Sequence, residues 1–144
     1  MGNYATTADL FLRLSDLHSG VYRNLDGSMM NDEPESDIAA AEAEINGAIG
    51  VRYTVPVASA SAAALLKAWT LTLAEDLAWS RSGKDALPKN LSDRLENVRR
   101  CLREVAKGEM DLPGAVENTA AGAGSVVLVE GNRPEFTREK LTGF

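Results

Sequence analysis

A regular stripe of apolar residues between positions 91 and 105 limits the possible fold more than any other feature of the sequence. It consists of Leu91, Leu95, Val98, Leu102 and Val105. These residues follow one another at alternating intervals of four and three positions. Such spacing returns to one side of an α-helix at each step, because that helix has about 3.6 residues per turn. The stripe therefore predicts an amphipathic helix that begins after Pro88 and ends near Gly108, a residue suited to a helix C-cap.

A second stripe predicts a central helix over residues 61–81. Its core-facing residues are Leu66, Trp69, Leu73 and Leu77. Trp69 lies in phase with the leucines and is therefore predicted to anchor the core. Trp79 lies off the stripe, where a large ring with a polar edge suits a contact between subunits.

Two further helices are predicted nearer the N-terminus. The first begins after Thr6, whose hydroxyl group can pair with the amide of Asp9 while the Asp9 carboxylate reaches back. Its core-facing residues are Leu10, Leu14 and Leu17. The second is predicted to begin at Ser36, a suitable N-cap residue, and to present a smooth alanine face over residues 39–43. Its core-facing residues are Ile38, Ile45 and Ile49.

Outside the helices, the sequence predicts one extended stretch and a C-terminal arm. Residues 52–57 are predicted to be extended, because Pro56 disfavours a helical conformation at the preceding residue. From Pro113 onwards the composition shifts to glycine and alanine, which is typical of a flexible segment. Two apolar groups follow, Val126, Val127, Leu128 and Val129 and then Phe136, Leu141 and Phe144. They are predicted to dock on a partner, and a disordered tail is the alternative.

The predicted fold class is therefore all-α. Residues 1–112 are expected to form a four-helix core with short extended segments, and residues 113–144 an extended C-terminal docking arm. A chain of 144 residues fits one such core.

The charge balance limits the partners of the chain. Its 21 acidic and 15 basic side chains give a net charge of −6, which opposes the counterion release that drives tight binding to DNA. An acidic wall suits a channel along which DNA slides without sticking. Cys101 is the only cysteine, so one chain cannot form an internal disulfide bond, and a reducing compartment is expected. No apolar run approaches the ~20 residues of a membrane span, so no membrane contact is expected.

The residue pattern contains no recognisable catalytic constellation. His18 is the only histidine and lies at a predicted helix end, so no Ser/His/Asp constellation can be assembled with it. The acidic loop around Gly27 is similar to a calcium loop, but Tyr22 stands at the position of the first carboxylate, so a solvated turn is favoured over a metal site. We therefore expect neither enzymatic activity nor a cofactor.

Four segments form an ordered series along the chain: NYATTADL (3–10), AEAEINGAIGVRYTVP (41–56), RLENVRRCLREVAKGEMDL (94–112) and FTREKLTGF (136–144). The most specific elements are Glu44-Ile45, Arg52-Tyr53 with Pro56, the run 105–108 with Leu112, and the terminal Phe136, Arg138, Leu141 and Phe144. Together they resemble the Mu-like phage family of head-to-tail connector proteins. The resemblance covers nearly the whole chain.

This resemblance implies an all-helical adaptor without known catalytic residues, similar to the head-completion proteins of siphophages. Such subunits would form a dodecameric ring between the portal protein and a tail terminator or other neck protein. The ring would extend the channel through which DNA passes without specific binding. The expected location is the virion neck, after assembly in the host cytoplasm.

Two groups of residues are candidates for contacts. Docking on the portal or a neighbouring subunit is predicted for Val126, Val127, Leu128, Val129, Phe136, Arg138, Leu141 and Phe144. Contacts between subunits are predicted for Arg52, Tyr53 and Trp79. The alternative function is a small helical regulator that binds a protein or nucleic acid, followed by an enzyme. A regulator needs a basic recognition helix, and the cluster Arg99, Arg100 and Arg103 supplies only part of one.

Deleting residues 133–144 is expected to leave the helical core folded and to prevent incorporation into phage particles. The deletion removes Phe136 and Phe144, and burying one Phe contributes about 1.5–3 kcal/mol before the cost of ordering the chain. Thermal melting followed by circular dichroism measures the fold, and complementation of an amber mutant measures incorporation. Normal assembly of the truncated protein would exclude the docking arm, whereas loss of the helical signal would show that the tail belongs to the core.

Overall fold

The computed structural model describes residues 2–14, 20–23, 32–83 and 86–118. Within them lie four helices: α1 (Thr7–Leu14), α2 (Asp32–Ile49), α3 (Ala60–Arg81) and α4 (Lys89–Lys107). Helices α2 and α3 form the centre of the fold, because each of them contacts all three other helices. The fold class is all-α, as the sequence predicted.

Helix α1 begins with the predicted reciprocal cap. The Thr6 hydroxyl oxygen accepts from the Asp9 amide at 3.3 Å, and the Asp9 carboxylate accepts from the Thr6 amide at 3.1 Å. Asp9 also pairs with Lys67 of α3 at 2.7 Å. The hydrogen bond from Lys67, together with those from Thr6, lowers the pKa of Asp9 to about 2. The cap therefore fixes both the start of α1 and its position against α3.

Helix α2 begins at Asp32, four residues before the predicted Ser36. The prediction missed this first turn because the carboxylates of Asp32, Glu33 and Glu35 were assigned to the acidic, calcium-like loop. Proline is favoured in the first turn of a helix, where its missing amide costs no hydrogen bond, and carboxylates there interact favourably with the helix dipole. The predicted core positions are confirmed, since Ile38, Ile45 and Ile49 are buried.

The core lies where α2 and α4 pack against α3. Leu66, Trp69 and Leu73 are buried, and Trp69 is only 5% exposed, which confirms its predicted role as a core anchor. All five stripe residues of α4 are buried. Helix α4 is followed by the C-cap residue Gly108 with φ 84°, in the left-handed conformation that glycine adopts without strain.

Residues 113–118 contact the core. Tyr53 and Glu117 form an isolated antiparallel bridge, flanked by backbone hydrogen bonds from Thr54 to Val116 and from Asn118 to Arg52. The Asn118 side chain also donates to the carbonyl groups of Gly50 and Tyr53. The first six residues of the predicted arm are therefore attached to the segment that follows α2. The remaining arm, and the predicted calcium-like loop around Gly27, lie outside the described residues.

Three buried carboxylates join the helices. Asp37 of α2 accepts from the Tyr22 hydroxyl group at 2.6 Å and from Arg81 of α3 through both carboxylate oxygens. Glu75 of α3 pairs with Arg13 of α1 and Arg94 of α4. The third, Glu42, binds the N-terminal segment. In the part of the chain that the structure describes, no buried side-chain nitrogen or oxygen lacks a hydrogen-bond partner.

Replacing Asp37 with alanine is expected to lower the free energy of unfolding by about 2 kcal/mol. Breaking a fully buried ion pair costs roughly 3–5 kcal/mol, but solvent partly compensates here because the Arg81 side chain is 42% exposed. Urea unfolding measures the change. Asp93→Ala, on the exposed face of α4, is the matched control, and an equal effect of the two substitutions would contradict the assigned role of Asp37.

Candidate functional site

Arg52 and Tyr53 lie together in the loop after α2, and Trp79 lies apart from them near the end of α3. These are the three residues predicted to contact a neighbouring subunit. Trp79 is half-buried and packs against the core, so part of its surface remains accessible. Tyr53 is only 2% exposed and makes its contacts within the subunit.

The guanidinium group of Arg52 connects three parts of the chain. One nitrogen, Nη1, donates to the carbonyl oxygens of Val105 at 3.3 Å and Met110 at 3.4 Å. The other, Nη2, donates to Asp111 at 3.1 Å and to Glu117 at 2.9 Å. A cation at this place also interacts favourably with the C-terminal end of the α4 dipole. Arg52 thereby holds the segment after α4 against the loop after α2.

Tyr53 extends this junction into the core. Its ring lies under the guanidinium carbon of Arg52, with 5.1 Å from that carbon to the ring centroid. Its hydroxyl group accepts from the Leu112 amide at 3.2 Å and donates to Asp111 at 3.4 Å. The hydrogen bond from Arg52 to Asp111 is the main reason why the pKa of Arg52 is raised, so the cation persists across the whole accessible pH range. We call Arg52, Tyr53, Asp111 and Glu117 the Arg52 junction.

A groove of about 490 Å³ lies beside α2 at the N-terminal segment. It is lined by Gly2, Asn3, Asp32, Glu35, Ser36, Ala39, Glu42, Ala43 and Asn46. At its floor, the buried Glu42 carboxylate accepts from the backbone amides of Asn3 at 2.9 Å and Tyr4 at 2.7 Å. The same carboxylate accepts from Ala5 at 3.4 Å. Through these hydrogen bonds Glu42 holds the N-terminal segment. The burial of the Glu42 carboxylate is therefore explained without a ligand.

The outward side of α2 carries small residues. Ser36, Ala39, Ala40, Ala43 and Gly47 are all exposed there. A Cβ atom built on Gly47 meets no heavy atom within 4 Å, so the surface over this turn is open. We call these five residues the α2 face.

The basic residues of α4 are largely paired with acidic ones. Arg99 contacts Glu44 at 3.2 Å and Asp76 at 3.6 Å, and Arg100 contacts Glu104 at 3.7 Å. These pairs favour the interpretation of a solvated, charge-balanced face over that of a dedicated anion site.

Sequence reasoning missed the acidic half of the Arg52 junction. Asp111 and Glu117 follow α4 by a few residues, and nothing in their spacing indicates contact with a residue more than fifty positions earlier. Within the described ranges, no group of three or more histidine, cysteine, aspartate or glutamate side chains is arranged to hold a metal ion. No described helix is both long and apolar enough to cross a bilayer. All eight predicted docking residues lie beyond residue 118, outside the described part.

A model of the family described as Bacteriophage Mu, Gp36 matches residues 4–130 of the chain. A search of curated proteins found no match.

Replacing Arg52 with alanine is expected to loosen residues 111–118 while the four helices remain folded. The backbone amides of Thr54 and Asn118, which bridge the two segments, should exchange with solvent roughly tenfold faster. Without Arg52, residues 111–118 can detach locally at a lower free-energy cost. Hydrogen exchange followed by NMR measures this. Arg52→Lys should give an intermediate effect, since lysine keeps the charge but loses the two-pronged geometry.

Arg103→Ala is the matched control, because Arg103 is exposed on α4 and outside the junction. Unchanged exchange at Thr54 and Asn118 in Arg52→Ala would show that the junction does not hold this segment.

Proposed function

The chain belongs to the bacteriophage Mu Gp36 family and is therefore a Mu-like phage protein, and we propose that it is a structural head-to-tail connector. In this proposal, subunits form a ring, dodecameric as the sequence resemblance implies, between the portal protein and a tail terminator or other neck protein. The ring extends the DNA channel, and its place in the virion is the neck.

The observation that best supports a ring is the α2 face. Small side chains let the backbone of another helix approach closely, and an isolated subunit leaves this surface uncovered. Closed rings use two different patches on each subunit, so one patch of this kind must be matched by another surface of the neighbouring copy. Trp79, half-buried near the end of α3, is the candidate residue for that second surface.

The charge distribution supports passage of DNA without specific binding. Helix α2 has an acidic first turn and no basic residue in its last turn. The two buried carboxylates of α2, Asp37 and Glu42, are paired inside the subunit, whereas Asp32 and Glu35 in its first turn are exposed. Carboxylates on a surface repel phosphate groups, and the arginines of α4 are mostly used in pairs with acidic neighbours. Together these features favour a structural subunit over a nucleic-acid-binding regulator.

The Arg52 junction suits the same role. It fixes residues 117 and 118, the last that the structure describes, because Glu117 and Asn118 are bound to the loop after α2. In the proposed ring, residues 133–144 leave this fixed point to reach the portal or a neighbour. The docking residues Phe136, Arg138, Leu141 and Phe144 are part of this proposal.

A phage with an amber codon in the gene for this protein is expected to produce DNA-filled heads and separate tails that do not join. Wild-type protein supplied in trans should restore joined particles, and Ala40→Arg should fail to do so because arginine blocks close approach at the α2 face. Ala40 is exposed, so this substitution should change the free energy of unfolding by no more than about 0.5 kcal/mol. Electron microscopy and plaque counts provide the measurement.

Ser92→Arg, a small exposed residue on α4, is the matched control and should complement. Joined particles without any copy of the protein, or its absence from purified virions, would refute the connector role. Full complementation by Ala40→Arg would refute only the α2 face as the contact.

A further inference from the structure

The Tyr4 hydroxyl group joins the N-terminal segment, residues 2–5, to two other parts of the subunit. It donates to the Asn46 side chain of α2 at 2.6 Å and accepts from the backbone amide of Val57 at 2.9 Å. Val57 lies in the loop after α2, which comprises residues 50–59. Among the described residues, no other backbone amide between positions 55 and 58 has a hydrogen-bond acceptor. Tyr4 therefore supplies the polar contact that holds this stretch of the loop.

The N-terminal segment fits closely on α2. A Cβ atom built on Gly2 would lie 2.5 Å from the carboxylate of Glu42 and 2.6 Å from the carbonyl oxygen of Ala5. The Ala5 oxygen belongs to the backbone, so it cannot make room unless the segment itself shifts. Together with the hydrogen bonds from Glu42 to the amides of residues 3–5, this fit fixes the place of the Tyr4 hydroxyl group beside Val57.

The same loop holds residues 111–118 a few positions earlier. The Thr54 amide donates to the Val116 carbonyl group, and the Asn118 amide donates to the carbonyl group of Arg52. Only three positions separate Thr54 from Val57. Pro56 lies between them, and its ring fixes one of the few backbone torsions that could absorb a movement. A displacement at Val57 is therefore transmitted to the hydrogen bonds of Thr54.

We propose that the N-terminal segment and residues 111–118 are coupled through the loop after α2, so that release of either segment loosens the other. The coupling acts in both directions, because both segments stabilise one arrangement of the same loop. Gly2 and Asn3 also line the groove beside α2, so a molecule that binds there contacts one of the two segments. In a connector ring, a neighbour at this groove would change how firmly residues 111–118 are held, and this step alone rests on the proposed function.

Tyr4→Phe in the full-length protein tests the coupling, because it removes the hydroxyl group and keeps the ring. The amides of Thr54 and Asn118 should exchange with solvent roughly fivefold faster, the effect of losing one neutral hydrogen bond on a local opening. Gly2→Ala should also accelerate both amides, since it displaces the N-terminal segment while Tyr4 is unchanged. Hydrogen exchange followed by NMR provides the measurement.

Tyr22→Phe is the matched control. The Tyr22 hydroxyl group is also bound to a side chain of α2, because it donates to Asp37 at 2.6 Å. Asp37 lies twelve residues before the end of α2, which corresponds to roughly 18 Å along the helix. The same chemical change is thus made far from the loop after α2, and the exchange of Thr54 and Asn118 should stay as in the wild type.

Arg52→Ala tests the opposite direction. It should accelerate exchange of the Tyr4 amide, which donates to Glu42, because the coupling is reciprocal.

Three outcomes would overturn the proposal: unchanged exchange of Thr54 and Asn118 in either N-terminal variant, an equal acceleration in Tyr22→Phe, or an unchanged Tyr4 amide in Arg52→Ala. All of these rates are measured on the isolated subunit. Their failure leaves the connector role standing, whereas failure of the complementation test refutes that role and leaves the coupling standing.

Discussion

The fold depends on the rule that a buried carboxylate needs a partner. Asp37, Glu42 and Glu75 are each almost inaccessible to water, and an unpaired charge at such a place would cost several kcal/mol. Each therefore requires a donor from another part of the chain: Arg81 for Asp37, the N-terminal amides for Glu42, and two arginines for Glu75. Apolar stripes alone allow helices to slide or rotate against one another. These polar contacts favour one arrangement, because any other leaves a charge buried without a partner.

The helical part of the fold could be predicted from sequence because it follows from spacing within short segments. The stripe of α4, the anchor Trp69, the cap formed by Thr6 and Asp9, and the left-handed Gly108 each depend on residues within a few turns of one another. The start of α2 was predicted too late, because a proline and acidic residues suit both a loop and a first helical turn.

The candidate site was harder to predict, because its residues lie far apart in the sequence. Arg52 and Tyr53 were predicted to contact a neighbouring subunit, which stays a prediction. Their described contacts are with Val105, Met110, Asp111, Leu112 and Glu117 of the same subunit. Sequence spacing does not indicate which of many exposed carboxylates an arginine meets. Arg52 and Tyr53 can therefore act by positioning residues 111–118. A contact with a partner would then be made by that segment.

Glu42 shows how an almost completely buried side chain still affects a surface. It holds the amides of residues 3–5 against α2, and Gly2 and Asn3 thereby form a wall of the groove that also contains Ser36, Ala39 and Ala43. A molecule that approaches α2 from this side consequently meets a ridge of backbone beside a smooth helix. The buried Glu42 carboxylate thus determines the shape of this surface. Any peptide fused ahead of Gly2 would emerge at the rim of the same groove, so the position of an affinity tag is a structural choice for this protein.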